Sequence, residues 1–162
     1  MPTPPAMSNS GVRFPPPFLF VGTAGIAWLF EMRVVRLRLV TGSDLIWRLE
    51  IFGAILFLAG FALVAWSLYT FASAHTGILP MRPATRIVSW GPYAFSRNPM
   101  YTSMAIMYLG GALVLNWGWA VILLPVALLS IYLFVMKREE KYLMSAFPQE
   151  YGEYRKSVRR WL

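Results

Sequence analysis

The sequence predicts an all-α fold: a polytopic transmembrane helical protein of about four membrane helices, with a C-terminal helical hairpin and an interfacial tail helix. Three observations predict it. The 162 residues are 57% hydrophobic with a mean hydropathy of +0.53, against about 45–50% apolar for an ordinary soluble domain. The apolar residues gather in four blocks separated by basic and proline-rich stretches. The 15 Lys and Arg, set against 7 Asp and Glu for a formal charge of +8, flank those blocks, where lipid headgroups hold cations.

The first block, Phe18 to Phe30, is uncharged but short. It spans a bilayer if its helix runs on to about Val35 or Leu39, with Arg33 and Arg36 snorkelling to the interface. The second, Leu49 to Ala72, is long enough alone, and Gly53 and Gly60 lie two turns apart on one face, admitting close approach of another helix. The third and fourth, Thr102–Asn116 and Trp119–Met136, meet at Asn116-Trp117-Gly118. So short a break makes them antiparallel neighbours, a helical hairpin. Pro125 should kink the fourth helix. Beyond Met136, Tyr151, Tyr154 and Val158 recur at helical spacing among Lys and Arg, and Trp161 follows, the pattern of a helix lying along the membrane interface.

Residues 1–17 form a proline-rich leader ahead of a transmembrane domain over 18–162. Pro2, Pro4, Pro5, Pro15, Pro16 and Pro17 keep the leader extended or disordered, and it lacks the basic start and small-residue cleavage site of a signal peptide. With four spans, both termini share a side with the segment between the second and third blocks. That side carries Arg13, Arg82, Arg86, Arg97, Lys137, Arg138, Lys141, Arg155, Lys156, Arg159 and Arg160; the other carries Arg33, Arg36, Arg38 and Arg48. The imbalance predicts a multi-pass protein with termini and long loop in the cytoplasm.

Cysteine is absent, which excludes disulfides, thiolate metal sites and a lipidated cysteine. No His/Cys/Asp cluster suits a metal. Nucleic acid is an unsuitable partner, because the cations border apolar blocks and no recognition motif accompanies them.

The segment from Ser73 to Tyr101 carries the candidate chemistry. It holds Pro80, Pro83, Pro92 and Pro99 with Gly77 and Gly91, interleaved with Ile87, Val88, Trp90, Tyr93, Phe95 and Tyr101. A loop this long in a small domain is usually functional or disordered, and the interleaved aromatics argue against disorder. Gly91-Pro92-Tyr93, then Ser96-Arg97-Asn98-Pro99-Met100-Tyr101, a hairpin, Glu139-Glu140 and Phe147-Pro148-Gln149-Glu150-Tyr151 follow in order. This series resembles the isoprenylcysteine carboxyl methyltransferase and phospholipid methyltransferase family of integral membrane enzymes, over about His75 to the C-terminus.

The resemblance implies an S-adenosylmethionine-dependent methyltransferase acting on a lipophilic acceptor, with the bilayer as its other partner. It implies a cytoplasm-facing cofactor pocket built from the loop before the hairpin and the segment after it. Carried over by motif, its residues are Thr85, Arg86, Ile87 and Val88, the turn residue Tyr93, the tetrad Asn98, Pro99, Met100 and Tyr101, and Glu139 with Glu140. Ile87, Val88 and Tyr93 suit an adenine slot, and Glu139 suits ribose hydroxyls or an ammonium. Arg97 and Asn98 offer donors to a carboxylate and are the candidates nearest to catalysis.

Each residue also has a plainer explanation. Glu139 and Glu140 sit among Lys137, Arg138 and Lys141, as at any solvated helix end. Arg97 and His75 suit interface anchors, Tyr93 and Tyr101 an aromatic belt, and Pro99 a helix start. The sequence departs from the prenylcysteine enzymes at two positions: Asn98 stands at the tetrad's histidine, and Val135 stands where those enzymes carry an arginine for the substrate carboxylate. If Val135 and Glu139, one turn apart, face one cavity, a free-carboxylate acceptor lacks its partner there. An NADPH-dependent membrane reductase of sterol-reductase type and a non-catalytic membrane scaffold are the competing functions.

Overall fold

A computed structural model describes residues 10–12, 14–75 and 84–161. Every regular element among them is helical: α1 (Pro17–Arg33), α2 (Ser43–Ser73), a 3-10 turn (Gly91–Ala94), α3 (Pro99–Val114), α4 (Gly118–Ile131), a π turn (Tyr132–Met136), α5 (Lys137–Ala146) and α6 (Pro148–Ser157). From α4 through the π turn to α5 the helix is unbroken, Gly118–Ala146, and it passes through Pro125. Residues 1–9, Arg13, residues 76–83 and Leu162 lie outside the described residues. So do most of the predicted leader and Arg82.

Two helices, α2 and Gly118–Ala146, are long and apolar enough to cross a membrane. Helix α2 is arranged inside out relative to a soluble helix. Its buried stripe is small or polar (Gly53, Gly60, Ser67, Thr70), while Phe52, Leu58 and Phe61 are exposed. That is how a helix packs when its outer face meets lipid and close backbone contact replaces hydrophobic burial. The partner of the stripe is α3. A Cβ on Gly53 would lie 2.7 Å from Gly110 O, one on Gly110 would lie 2.6 Å from Phe57 N, and one on Gly60 would meet Met107 and Ser103.

The α1 side of the bundle is built differently. Phe20, Thr23, Ala27 and Glu31 form the buried face of α1, and α1 packs chiefly on α4, which also contacts α3. Phe20, Tyr101, Ala127, Ile131, Val135 and Met136 form one buried cluster, joined by Val12. The predicted leader therefore reaches into the body of the fold, where Val12 is only 3% exposed.

Helix α1 stops at Arg33, short of the predicted Val35 or Leu39. The following irregular segment finds better backbone partners at the α3–α4 turn. Asn116 accepts from Leu39 N and Val40 N at 2.8 and 3.2 Å and donates to Val40 O at 2.8 Å. Gly118 N donates to Leu37 O, and Trp119 Nε1 to Val35 O, both at 2.8 Å. Continuing α1 would forfeit these bonds.

The tail forms α5 and α6, and α6 turns its apolar face onto the loop before α3. Tyr151 and Tyr154 are buried with Ile87, flanked by Leu143, Met144, Phe147 and Val158. An amphipathic helix satisfies the same periodicity against lipid or against a protein loop; here the loop supplies the apolar partner.

Candidate active site

Glycine at 91 sets the loop. Its φ is +62°, and a Cβ there would lie 2.9 Å from Thr70 Oγ1, so the chain must carry the one residue without a Cβ to turn against α2. The 3-10 turn that follows buries Pro92 and Tyr93. The Tyr93 ring meets Phe71 of α2 edge-on at 4.9 Å, and Tyr154 of α6 donates its hydroxyl to Tyr93 O at 2.7 Å. Pro99 opens α3 at its first turn, where a missing N–H costs nothing.

Around this loop lies a cavity of about 140 Å³. The structure brings Arg86, Ile87, Val88, Tyr93, Arg97, Asn98, Pro99, Met100, Tyr101, Glu139 and Glu140 to its wall. Thr85 is the exception: it is exposed and does not line the cavity. His75 does not line it either; it is exposed, with φ +53° and Nδ1 3.0 Å from Ser73 O.

Tyr142, Leu143, Tyr154, Phe71 and Ser10 also line the cavity, and motif reasoning missed them; Tyr151, which closes the Phe147–Tyr151 run of the motif series but was assigned no role, lines it too. For two of them a signal existed. Tyr142 and Leu143 lie three and four positions after Glu139, hence on its face of α5. Tyr142 also anchors the loop, accepting from Ala84 N at 3.0 Å.

The two acids divide their work. Tyr101 donates to Glu139 Oε1 at 2.8 Å. Burial pushes the Glu139 carboxyl up to about 7; the Tyr101 hydrogen bond opposes that rise and neighbouring Glu140 adds to it. Glu139 lies on α5, past the apolar stretch that ends at Met136. Burial, then Tyr154 and Glu139, hold the Tyr93 phenol well above its ordinary range, and burial with Tyr151 does the same to Tyr154. Neither phenol supplies a base near neutrality.

Glu140 instead binds cations. Arg160 donates to it through Nε at 2.8 Å and Nη2 at 2.9 Å, a bidentate fork. On its other side Arg97 Nη1 lies 3.3 Å away. Arg97 is held by its backbone, whose N–H donates to Arg159 O at 2.8 Å. Its Nε and Nη1 are buried without a hydrogen-bond partner among the described residues. Asn98 gives its amide N–H to Arg160 O at 3.0 Å, so that side chain ties down the irregular C-terminal segment.

Val135 does not face the cavity with Glu139, contrary to the one-turn argument. It is fully buried in the core with Phe20 and Tyr101. The π turn from Tyr132 to Met136 lies between α4 and α5 and breaks the ordinary i, i+4 register. An arginine at 135 would enter apolar packing, so Val135 carries no information about the acceptor. Met107, which the sequence places with Met104, Tyr108 and Tyr132 as a lining for an acceptor entering from the bilayer, turns instead to Gly60 on α2, while the other three pack on the α1–α3–α4 cluster.

A cavity walled by a Gly-Pro-Tyr turn, an R-x-P-x-Y run and a paired glutamate is the geometry on which comparison with known proteins bears. The pattern of the phospholipid methyltransferase family matches residues 49–150, from within α2 into the first turn of α6. The chain belongs to the phospholipid methyltransferase family. Membership places it among membrane methyltransferases, away from the reductase and scaffold alternatives. A Haemophilus influenzae protein described as "Uncharacterized protein" is 40% identical over 63 residues, which is 39% of this chain and the whole of that protein. No solved structure matches the chain.

Proposed function

We propose that this member of the family is a multi-pass enzyme that transfers a methyl group from S-adenosylmethionine to a lipophilic acceptor, with its cofactor cavity facing the cytoplasm. The observation that supports it best is the shared cavity of Arg86, Ile87, Val88, Tyr93, Tyr101 and Glu139, drawn from three separate parts of the chain.

The residues suit the cofactor. Ile87 and Val88 are apolar and buried, matching an adenine, with the Tyr93 ring beside them. Glu139 offers a carboxylate to ribose hydroxyls or the amino group. The Arg97 guanidinium, whose buried Nε has no hydrogen-bond partner among the described residues, matches the cofactor carboxylate, because a buried donor left unpaired costs about 1–3 kcal/mol that a ligand oxygen would recover. Pro99, Met100 and Tyr101 close one wall, while Asn98 and Glu140 hold the C-terminal segment and Arg97 in place. Thr85 is left out of the proposed site.

When bound, S-adenosylmethionine supplies an electrophilic methyl group on a sulfonium. The chain's own contribution is orientation and exclusion of water. Alignment of two reactants is worth up to about 7–11 kcal/mol in favourable cases, and the buried aromatics around Glu139 supply a dry, fixed wall. The acceptor enters from the bilayer between α1, α3 and α4, past Met104, Tyr108 and Tyr132. In this arrangement α1 and α3 complete four crossings, although α1 ends at Arg33 rather than at Val35 or Leu39: its 17 residues and the 16 of α3 lie at or just under the short end of the roughly 17–25 that a crossing takes.

The test is transfer of label. Protein in lipid nanodiscs, given methyl-labelled S-adenosylmethionine and a total lipid extract, should move label into the organic phase, and Glu139→Ala should abolish that. Label remaining wholly in the aqueous phase, with lipid extracts from several sources, would argue against a lipophilic acceptor.

A further inference from the structure

Residues 10–12 belong to no helix, yet they are held where two parts of the fold meet. Ser10 is 7% exposed and lines the cavity that holds Glu139. Two positions on, Val12 is 3% exposed and belongs to the buried cluster of Phe20, Tyr101, Ala127, Ile131, Val135 and Met136. Met104, Tyr108 and Tyr132, which border the proposed acceptor route, pack on that same cluster. Tyr101 is common to both places: it lines the cavity, bonds Glu139 at 2.8 Å and packs in the cluster. The segment therefore lies as a strap between the cavity and the inner end of the route.

The strap is built to release. Gly11, between Ser10 and Val12, has a φ of +70°, and a Cβ there meets nothing within 4 Å. Glycine is required here by the backbone turn and not by lack of room, so the chain is free to swing about it. Arg138 Nη1 tethers the strap by donating to Gly11 O at 3.1 Å, at an exposed position, where water replaces a protein partner at little cost. Val12 is the apolar seat, on backbone that no helix holds. Segments held by contacts of this kind open locally, far below the free energy of global unfolding.

We infer that residues 10–12 are a gate between the bilayer and the cofactor cavity, with Val12 seated in the place that the reacting end of the acceptor takes when the strap lifts. The inference rests on the proposed function, since a gate has work only if an acceptor arrives through the bundle. Closed, the strap separates the cavity from the route; lifted about Gly11, it joins them. Val12 and the acceptor exclude each other, so the apparent acceptor affinity is the intrinsic one reduced by the open fraction. Ser10 couples the cofactor to the same equilibrium, because a ligand that touches the closed wall favours the closed state.

The chain has no cysteine, so Val12→Cys in the full chain places a single thiol at the seat, and its rate of reaction with a water-soluble maleimide reads the open fraction. In detergent micelles the thiol should react about ten- to a hundredfold more slowly than in the denatured chain, the range set by releasing one buried side chain of valine size. Adding Arg138→Gln should speed it about three- to tenfold, the worth of one hydrogen bond, and S-adenosylhomocysteine should slow it. Lys141→Gln, which removes an exposed cation from the same helix, should leave the rate unchanged. In methyl transfer to a total lipid extract, Arg138→Gln alone should lower the half-saturating lipid by the same factor. Its S-adenosylhomocysteine affinity should stay within about twofold, because the closed state remains the major one. A thiol as reactive as in the denatured chain, a thiol that never reacts in the folded protein, or a rate indifferent to Arg138→Gln overturns the gate. So does an unchanged half-saturating lipid when the thiol has sped up. If Arg138→Gln speeds labelling but wild type neither binds S-adenosylhomocysteine nor transfers methyl, the proposed activity falls and the hinged strap stands.

Discussion

Tyr101, in the first turn of α3, donates its hydroxyl proton to Glu139 on α5 at 2.8 Å, across 38 positions of sequence. The bond joins the R-x-P-x-Y run to the paired glutamates and orients the carboxylate that faces the cavity. Tyr101→Phe should keep the ring packing and lose the bond. S-adenosylhomocysteine binding, measured by calorimetry, should weaken by about 1 kcal/mol, near the net worth of one such bond. An unchanged affinity would mean that Glu139 needs no orienting partner.

The carboxyl of Glu139, raised to about 7, gives the site a pH signature. Below that value it is neutral and a poor partner for an ammonium or a hydroxyl donor; above it, it is charged. Cofactor-product affinity should therefore rise between pH 6 and 8 and be flat over that range in Glu139→Gln. The sign for stability is opposite. A folded-state value above the ordinary 4.5 contributes stability that is fully present below the unfolded value and lost as pH rises through about 7. Denaturation of the ligand-free protein followed across this range in both proteins checks it.

Glycine 91 makes a separable prediction about the loop. Gly91→Ala forces a side chain into positive φ and against Thr70 Oγ1 at 2.9 Å. It should destabilise the loop by about 1–3 kcal/mol and weaken cofactor binding without touching any residue of the cavity wall. Hydrogen exchange at residues 84–98 should rise in the variant; exchange equal to wild type would show that the turn bears no strain.

Topology is testable by labelling. With four crossings, a cysteine placed at Thr41 and one placed at Lys156 should react with impermeant reagents from opposite faces of intact membranes. Reaction of both from one face would remove a crossing. The charge distribution that argues for this topology includes Arg13 and Arg82, which lie outside the described residues.

The parts of this fold legible from sequence are those where one interaction dominates. Gly53 and Gly60 promised a close helix contact, and Gly110 provides it. The wall of the cavity was legible because Tyr93, Tyr101 and Glu139 belong to local motifs whose residue types suit the chemistry. The rest depended on which partner wins among several. Arg33 ends α1 because Asn116 competes for the following backbone. Tyr151 and Tyr154 have a periodicity that fits lipid or protein alike, and only the position of Ile87 decides. Val135 was misplaced because no residue pattern marks a π turn.

Equilibrium binding of S-adenosylhomocysteine and of NADPH to the purified full chain, wild type and Glu139→Ala, bears on the whole proposal at once. Wild type should bind S-adenosylhomocysteine and not NADPH, and Glu139→Ala should weaken the former by about 1–3 kcal/mol, the usual loss of a charged hydrogen-bond partner. Binding of NADPH in place of S-adenosylhomocysteine, or equal S-adenosylhomocysteine affinity in both folded proteins, would contradict a methyltransferase cofactor site at Glu139.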